Sequence, residues 1–291
     1  MSLPPDTQIA HVRLIVREMQ RALAFYRDAL GLRLLSGGEG SALLGANTSA
    51  PWLIELIALP GAVAKPRRSA GLYHVAIRLP SRAALARLFY RLVALGVPFQ
   101  GASDHLVSEA LYLADPDGNG IELYRDRPRT EWRMDGAQVA MSSDPLDAEA
   151  LLREGEHEDS TWIGIDPATD IGHVHLHVGS LARAEAFYCG ALGFDVMQRS
   201  YPGALFVAAG GYHHHIGLNT WAGEGAPPPP DNAVGMRAFA FRVSELGAWN
   251  AVIDRLRAAG ITVAIETDGR TAVARSSDEM TVEIVYTAPG G

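Results

Sequence analysis

The sequence predicts an α+β fold of four βαβββ modules that close in pairs into two eight-stranded, cup-shaped half-barrels. Three observations predict it. HVRLIVREMQRALAFYRDALGL at residues 11–32 repeats as HVHLHVGSLARAEAFYCGALGF at 173–194. GLYHVAIRLPSRAALARLFYRLVALGVP at 71–98 runs parallel to GMRAFAFRVSELGAWNAVIDRLRAAGIT at 235–262. In all four segments an alternating apolar strand pattern gives way to helical spacing and then a glycine. Gly31 and Gly193 suit the left-handed position that follows a helix.

Taken in order, the modules begin near Ile9, Gly71, Ile171 and Gly235. In the first, LLSGGEGSALLG and PWLIELIAL follow the helix as hairpin strands. In the second, the strands end at GIELYRD, after a DPDGN turn. In the third, they are VMQRSYPGALFVAAG and YHHHIGLNTW, and in the fourth they end at TVEIVYT. Two domains are expected, 9–126 from modules one and two and 169–288 from modules three and four. A polar, acidic connector, 127–168, lies between them, with a short helix at 145–155. The run of prolines at 227–230 reads as a surface loop. A βαβββ unit leaves a curved sheet face that it cannot bury alone, and two such units side by side enclose a cavity.

The 291 residues are 48% hydrophobic and 20% charged, ordinary for a globular protein. A net charge of −8 with no basic run argues against nucleic acid as a partner. No apolar run has the length of a membrane span, and the N-terminus lacks signal-peptide character. A cytoplasmic location follows as the expectation. The single cysteine, Cys189, excludes an intrachain disulfide and reads as a packing residue on the third module's helix. A homodimer is the commonest soluble assembly.

The chemistry concentrates in SDHLVSEALYLADPDGNGIE at 103–122, with His74 upstream in GLYHVAI. Two histidines and one carboxylate form the facial set that holds non-haem Fe(II) with open positions. A further His and a Tyr supply proton-transfer groups. Strand alternation places His173, His175 and His177 on one face. Module starts also carry His11 and His74, with Ala238 in module four. The last strands carry Glu55, Glu122 and Glu283, with Gly217 in module three. Of ten histidines, eight (74, 105, 173, 175, 177, 213, 214 and 215) fall in modules two and three. The bland readings stand beside this. His11 is expected as a hydrogen-bonded structural residue, Glu55 and Glu283 as solvated edge-strand acids, and DPDGN as a turn.

These residues resemble the vicinal-oxygen-chelate superfamily of glyoxalases, bleomycin-resistance proteins and extradiol dioxygenases. Residues 103–122 resemble the extradiol signature: His105, Leu111-Tyr112, Asp115-Pro116, Gly118 and Glu122. Along GLYH, SEALYLADPDGNGIE, RDRPR, GHVHLHV and GGYHHHIGLN the chain is similar to the bacterial catechol-2,3-dioxygenase group. The resemblance implies Fe(II), or Mn(II), held by His74, Glu122 and His173. It implies His214 as acid/base, with His105 and Tyr112 hydrogen-bonding substrate and oxygen. The substrates would be a small aromatic diol and O2. In the common extradiol arrangement the signature lies in the last module, whereas here module four lacks it. Either modules two and three pair across the connector or modules one and two pair conventionally, and the histidine cluster favours two and three as the active cup. The alternatives are a glyoxalase-I-like lyase or isomerase using His11, Glu55, His74 and Glu122 with Ni(II), Zn(II) or Co(II), and a non-catalytic ligand-binding protein of the bleomycin-resistance type.

Overall fold

The computed structural model describes residues 3–49, 51–136, 138–158 and 162–288. Module one contributes β1 (Gln8–Val16), β2 (Arg33–Gly37), β3 (Ser41–Gly45) and β4 (Ile54–Ala58). Module two contributes β5 (Gly71–Arg78), β6 (Phe99–Asp104), β7 (Ser108–Ala114) and β8 (Gly120–Asp126). The connector holds three two-residue strands, β9 (Met134–Asp135), β10 (Gln138–Val139) and β11 (Asp144–Pro145). Module three follows with β12 (Asp170–His177), β13 (Asp195–Gln198), β14 (Ala204–Ala208) and β15 (Ile216–Asn219). Module four has β16 (Gly235–Val243), β17 (Ala264–Ile265), β18 (Thr271–Arg275) and β19 (Thr281–Tyr286). The helices are α1 (Met19–Leu23), α2 (Arg82–Ala94), α3 (Ala148–Glu158), α4 (Leu181–Glu185) and α5 (Leu246–Ala258).

Hydrogen bonding orders the strands into two large sheets, β17-β18-β19-β16-β1-β4-β3-β2 and β11-β6-β7-β8-β5-β12-β15-β14-β13. The second has nine strands where eight are expected. The extra one, β11, comes from the connector and pairs Asp144 with Asp104 and Pro145 with Ser103. Its polar sequence carries no alternation from which a strand is read. In modules two, three and four the first and last strands run parallel to each other. The chain divides into two compact units. One comprises Met1–Arg13, Lys65–Tyr73 and Gly172–Gly291, the other Leu14–Ala64 and His74–Ile171. Among the described residues no helix is long and apolar enough to cross a membrane.

Local sequence explains the helix starts. Ser81 accepts the Ala84 N–H at 3.1 Å ahead of α2, and Ser180 accepts the Arg183 N–H at 3.4 Å ahead of α4. The buried face of α2 carries Leu85, Leu88, Phe89 and Leu92 at helical spacing. The helices of modules one and three do not run on as α-helices. Each passes into a six-residue π segment, Ala24–Ala29 and Ala186–Ala191. There Leu30 N–H donates to Phe25 O, and Leu192 N–H to Phe187 O, both at 2.9 Å across five residues. Cys189 lies in the second π segment, half-buried, not on the regular helix expected for it. Desolvation and the nearby Glu185 carboxylate push its thiol up to about 12. Gly31 and Gly193 close the two segments at φ +84° and +95°.

The π turn buries Tyr26 and Tyr188 at matching repeat positions. Tyr26 donates its hydroxyl to Asp115 Oδ2 at 3.0 Å. Asp115 Oδ1 in turn accepts from the amides of Asp117 and Asn119, both at 2.8 Å. Module four builds the same turn without the acid: Ser276 Oγ accepts from the amides of Asp278 and Met280, both at 3.2 Å. Asp115 stands seven residues before Glu122, and Ser276 seven before Glu283. Asp115 is thus a turn-former that sets where the last strand begins.

Burial, and then the charge of Asp115, raise the Tyr26 phenol well above its ordinary value of 10.0. In the unfolded chain the phenol ionises first, so the stability it contributes is complete below pH 10 and is lost as pH climbs beyond. Tyr26→Phe should cost about 1–3 kcal/mol in urea unfolding at pH 7, because buried Asp115 loses one of its donors. The variant should also lose less stability than wild type between pH 10 and 11. Equal alkaline losses in the two proteins would contradict this account of Tyr26.

Candidate metal centre

In the unit that contains most of module two, His74 and Glu122 project from the neighbouring parallel strands β5 and β8. Glu122 pairs across the sheet with Ala76, whose small side chain leaves room for the carboxylate. His74 lies two residues before Ala76 and shares its face. His74 Nε2 comes 2.8 Å from Glu122 Oε2, and both side chains are buried. Tyr112 on β7 is the cross-strand partner of Glu122, and its ring centroid lies 5.7 Å from that of His74. Ala76, Ala110 and Tyr124 form a packed patch against which Tyr112 rests. His105 follows β6 and reaches back to Tyr112, with Nε2 2.6 Å from the phenolic oxygen.

In the other unit, β12 carries His173, His175 and His177 on one face. His173 and His214 rings lie 4.1 Å apart between centroids. The triple histidine precedes β15 in irregular chain, outside the strand, and all three rings are buried. His213 Nδ1 and His214 Nδ1 are 2.8 Å apart, a hydrogen bond that directs Nε2 of His214 elsewhere. His215 Nδ1 accepts the Ala209 N–H at 3.2 Å, so that ring anchors the turn. These contacts give the tract three different tasks.

Asn219 was not legible as a site residue. Its Oδ1 accepts the Trp221 N–H at 3.0 Å and the His177 Nδ1–H at 2.6 Å. Its Nδ2 then donates to His175 Nε2 at 3.0 Å. His175 faces Gly217 in the parallel register. A Cβ at Gly217 would lie 2.8 Å from the His175 ring. Module three thus inverts module two: a large ring stands on the first strand and no side chain on the last, where module two has Ala76 opposite Glu122.

Within one unit, then, the buried His74 and Glu122 stand as a pair of candidate ligands. An imidazole beside a carboxylate supplies two of the three donors of a facial site for a divalent ion with open coordination positions. His11 and Glu55 are not part of this group. His11 Nε2 instead meets Glu283 Oε2 at 3.1 Å, and Arg13 Nε lies 3.4 Å from Glu283 Oε1. Glu283 is therefore no solvated edge acid: it is buried, on β19 between β18 and β16. Glu55 is half-buried on β4, between β3 and β1, which is likewise no edge.

The chain belongs to the Glyoxalase/Bleomycin resistance protein/Dioxygenase superfamily, matched at residues 8–123 and 170–283. Within it the chain is catechol-2,3-dioxygenase-like. The catechol-2,3-dioxygenase of Bacillus subtilis (strain 168) is 45% identical over 266 residues, 90% of this chain and 92% of that protein. A putative dioxygenase structure from Bacillus subtilis superposes with a TM-score of 0.67 at 16% identity, covering 97% of this chain and 86% of that one. Glyoxalase I from Zea mays superposes with a TM-score of 0.57 at 18% identity, covering 97% and 92%. At such identities the two structures show the shared fold alone.

The His175–Gly217 contact carries a direct test. Gly217→Ala should destabilise the protein by about 1–3 kcal/mol in urea unfolding, because the ring must leave its position over the strand. The double variant with His175→Ala should recover most of that loss. A Gly217→Ala protein as stable as wild type would show that the ring has room to move.

Proposed function

We propose that the protein is an Fe(II)-dependent extradiol dioxygenase of catecholic substrates, with modules two and three forming the active cup. His74, Glu122 and His173 hold the ion, and Mn(II) suits the same donors. The observation that carries this reading is the buried His74–Glu122 pair, Nε2 to Oε2 at 2.8 Å. The sheet order, in which β5 and β12 are neighbours, supports the pairing of modules two and three. Kinship with a catechol-2,3-dioxygenase supports the reaction. Residues 9–126 and 169–288 are the corresponding domains in this reading.

When bound, the ion supplies a positive charge that lowers the pKa of a catechol hydroxyl and open positions for substrate and dioxygen. Glu122 offsets one of its two charges, and the two neutral imidazoles leave the rest. His214 Nε2 takes a proton from the substrate, since Nδ1 is engaged with His213. Tyr112 hydrogen-bonds substrate or oxygen, and His105, linked to it at 2.6 Å, orients the phenol for that contact. Burial of His74, Glu122, His173 and His214 keeps bulk water from these groups.

The glyoxalase reading requires His11 and Glu55 beside His74 and Glu122, and His11 is engaged with Glu283 instead. A purely ligand-binding role leaves the Tyr112–His105 pair without a task. Wild type supplied with ferrous iron should consume oxygen with catechol and form a yellow ring-opened product. Glu122→Ala should do neither, and normal turnover by that variant would end the assignment. Independently of activity, anaerobic Fe(II) at a hundredfold excess over Kd should stabilise wild type by about 2.7 kcal/mol in thermal unfolding. The same addition should leave Glu122→Ala unchanged.

A further inference from the structure

The ninth strand brings the connector against His105. His105 Nδ1 lies 2.5 Å from the Ser142 carbonyl oxygen. A carbonyl only accepts, so Nδ1 carries the proton. In a neutral imidazole Nε2 is then the acceptor, and the 2.6 Å contact to Tyr112 is one in which the phenol donates to His105.

The turn that aims the ring is strained. Leu106 follows His105 at φ +68°, a left-handed conformation that a branched side chain rarely takes. Asp104 holds it there: Oδ1 accepts the Leu106 N–H at 2.9 Å, while Arg127 Nη2 donates to Oδ2 at 2.6 Å. Arg127 is itself fixed by its own N–H, which donates to Val107 O at 2.8 Å. From the connector side, Ser142 N–H donates to His105 O at 3.4 Å, and Ser142 Oγ donates to Asp144 Oδ2 at 2.7 Å.

We propose that Ser142, Asp104 and Arg127 are positioning residues that lock His105 in its Nδ1–H tautomer. The Tyr112 phenol proton is therefore committed to His105 Nε2. This rests on the dioxygenase reading for the effect on turnover, and on the local geometry alone for the tautomer.

Nitrogen NMR of the full chain, labelled with 15N-histidine and loaded with diamagnetic Zn(II), tests the tautomer at alkaline pH, where imidazoles are neutral. His105→Gln identifies the signal. The expected result is a protonated Nδ1 and an unprotonated Nε2 at His105. A protonated Nε2, or an average of both tautomers, overturns the proposal. In Arg127→Ala the two tautomers should average, with kcat lowered on the order of 10-fold and KM for catechol held within about twofold. Arg127→Lys should restore both. Unchanged kcat in an Arg127→Ala protein whose tautomers average overturns the positioning role. Wild type that turns over no catechol refutes the dioxygenase reading, and the NMR result still decides the tautomer.

Discussion

Burying a carboxylate is the constraint on which this structure turns. Taking a carboxylate out of water costs several kcal/mol unless a partner compensates. Glu122 is buried on β8 and meets the His74 imidazole at 2.8 Å. The parallel register sets that meeting: Ala76 opposite Glu122 clears the space, and His74 two residues earlier supplies the partner. Moving the carboxylate by one residue would turn it to the other face of the sheet, so the start of β8 must be fixed. The Asp115 turn, anchored by Tyr26, fixes it.

Comparison of the repeats separates what builds the frame from what does chemistry. The DPDGN segment looks like part of a catalytic signature, yet Ser276 makes the same pair of amide contacts in module four, whose first strand offers Ala238 in place of a histidine. The turn therefore belongs to the fold, and the chemistry lies in the side chains it places. In the same way Gly217 is no lapse in the pattern of acids. It is the vacancy that the His175 ring requires, and Asn219 holds that ring through an amide whose orientation the Trp221 backbone decides.

Much of this was legible in the sequence. The repeated strand-to-helix patterns gave four modules, because alternation and helical spacing are local properties that survive into the folded chain. His74 and His173 stood out because histidine is rare enough for its clustering to carry information, and Glu122 because it closes the segment 103–122. The π segments were not legible, since AFYRDA and AFYCGA read as ordinary helix and only tertiary packing of the tyrosines selects the wider turn. The ninth strand was hidden for a related reason. Asp144–Pro145 has no strand propensity and is held by its partner on β6. The contact from Ser142 to His105 uses a backbone carbonyl, and no residue identity announces it.

The solvated reading of Glu283 failed for an instructive reason. Glu283 sits opposite Ala240, the same register that places Glu122 opposite Ala76. A carboxylate buried at that register needs positive or hydrogen-bonding partners wherever it occurs. Module four has Ala238 where module two has His74, so the acid draws on β1 instead: His11 and, two residues on, Arg13. Arg13 occupies the repeat position of His175, and its guanidinium stays charged at any pH the protein meets. The carboxylate is thereby compensated without a metal ion, and a fixed cation beside it disfavours one. An acid at the end of a last strand is therefore a property of the repeat. A guanidinium beside that acid has no lone pair to offer a cation, whereas an imidazole in its place has one.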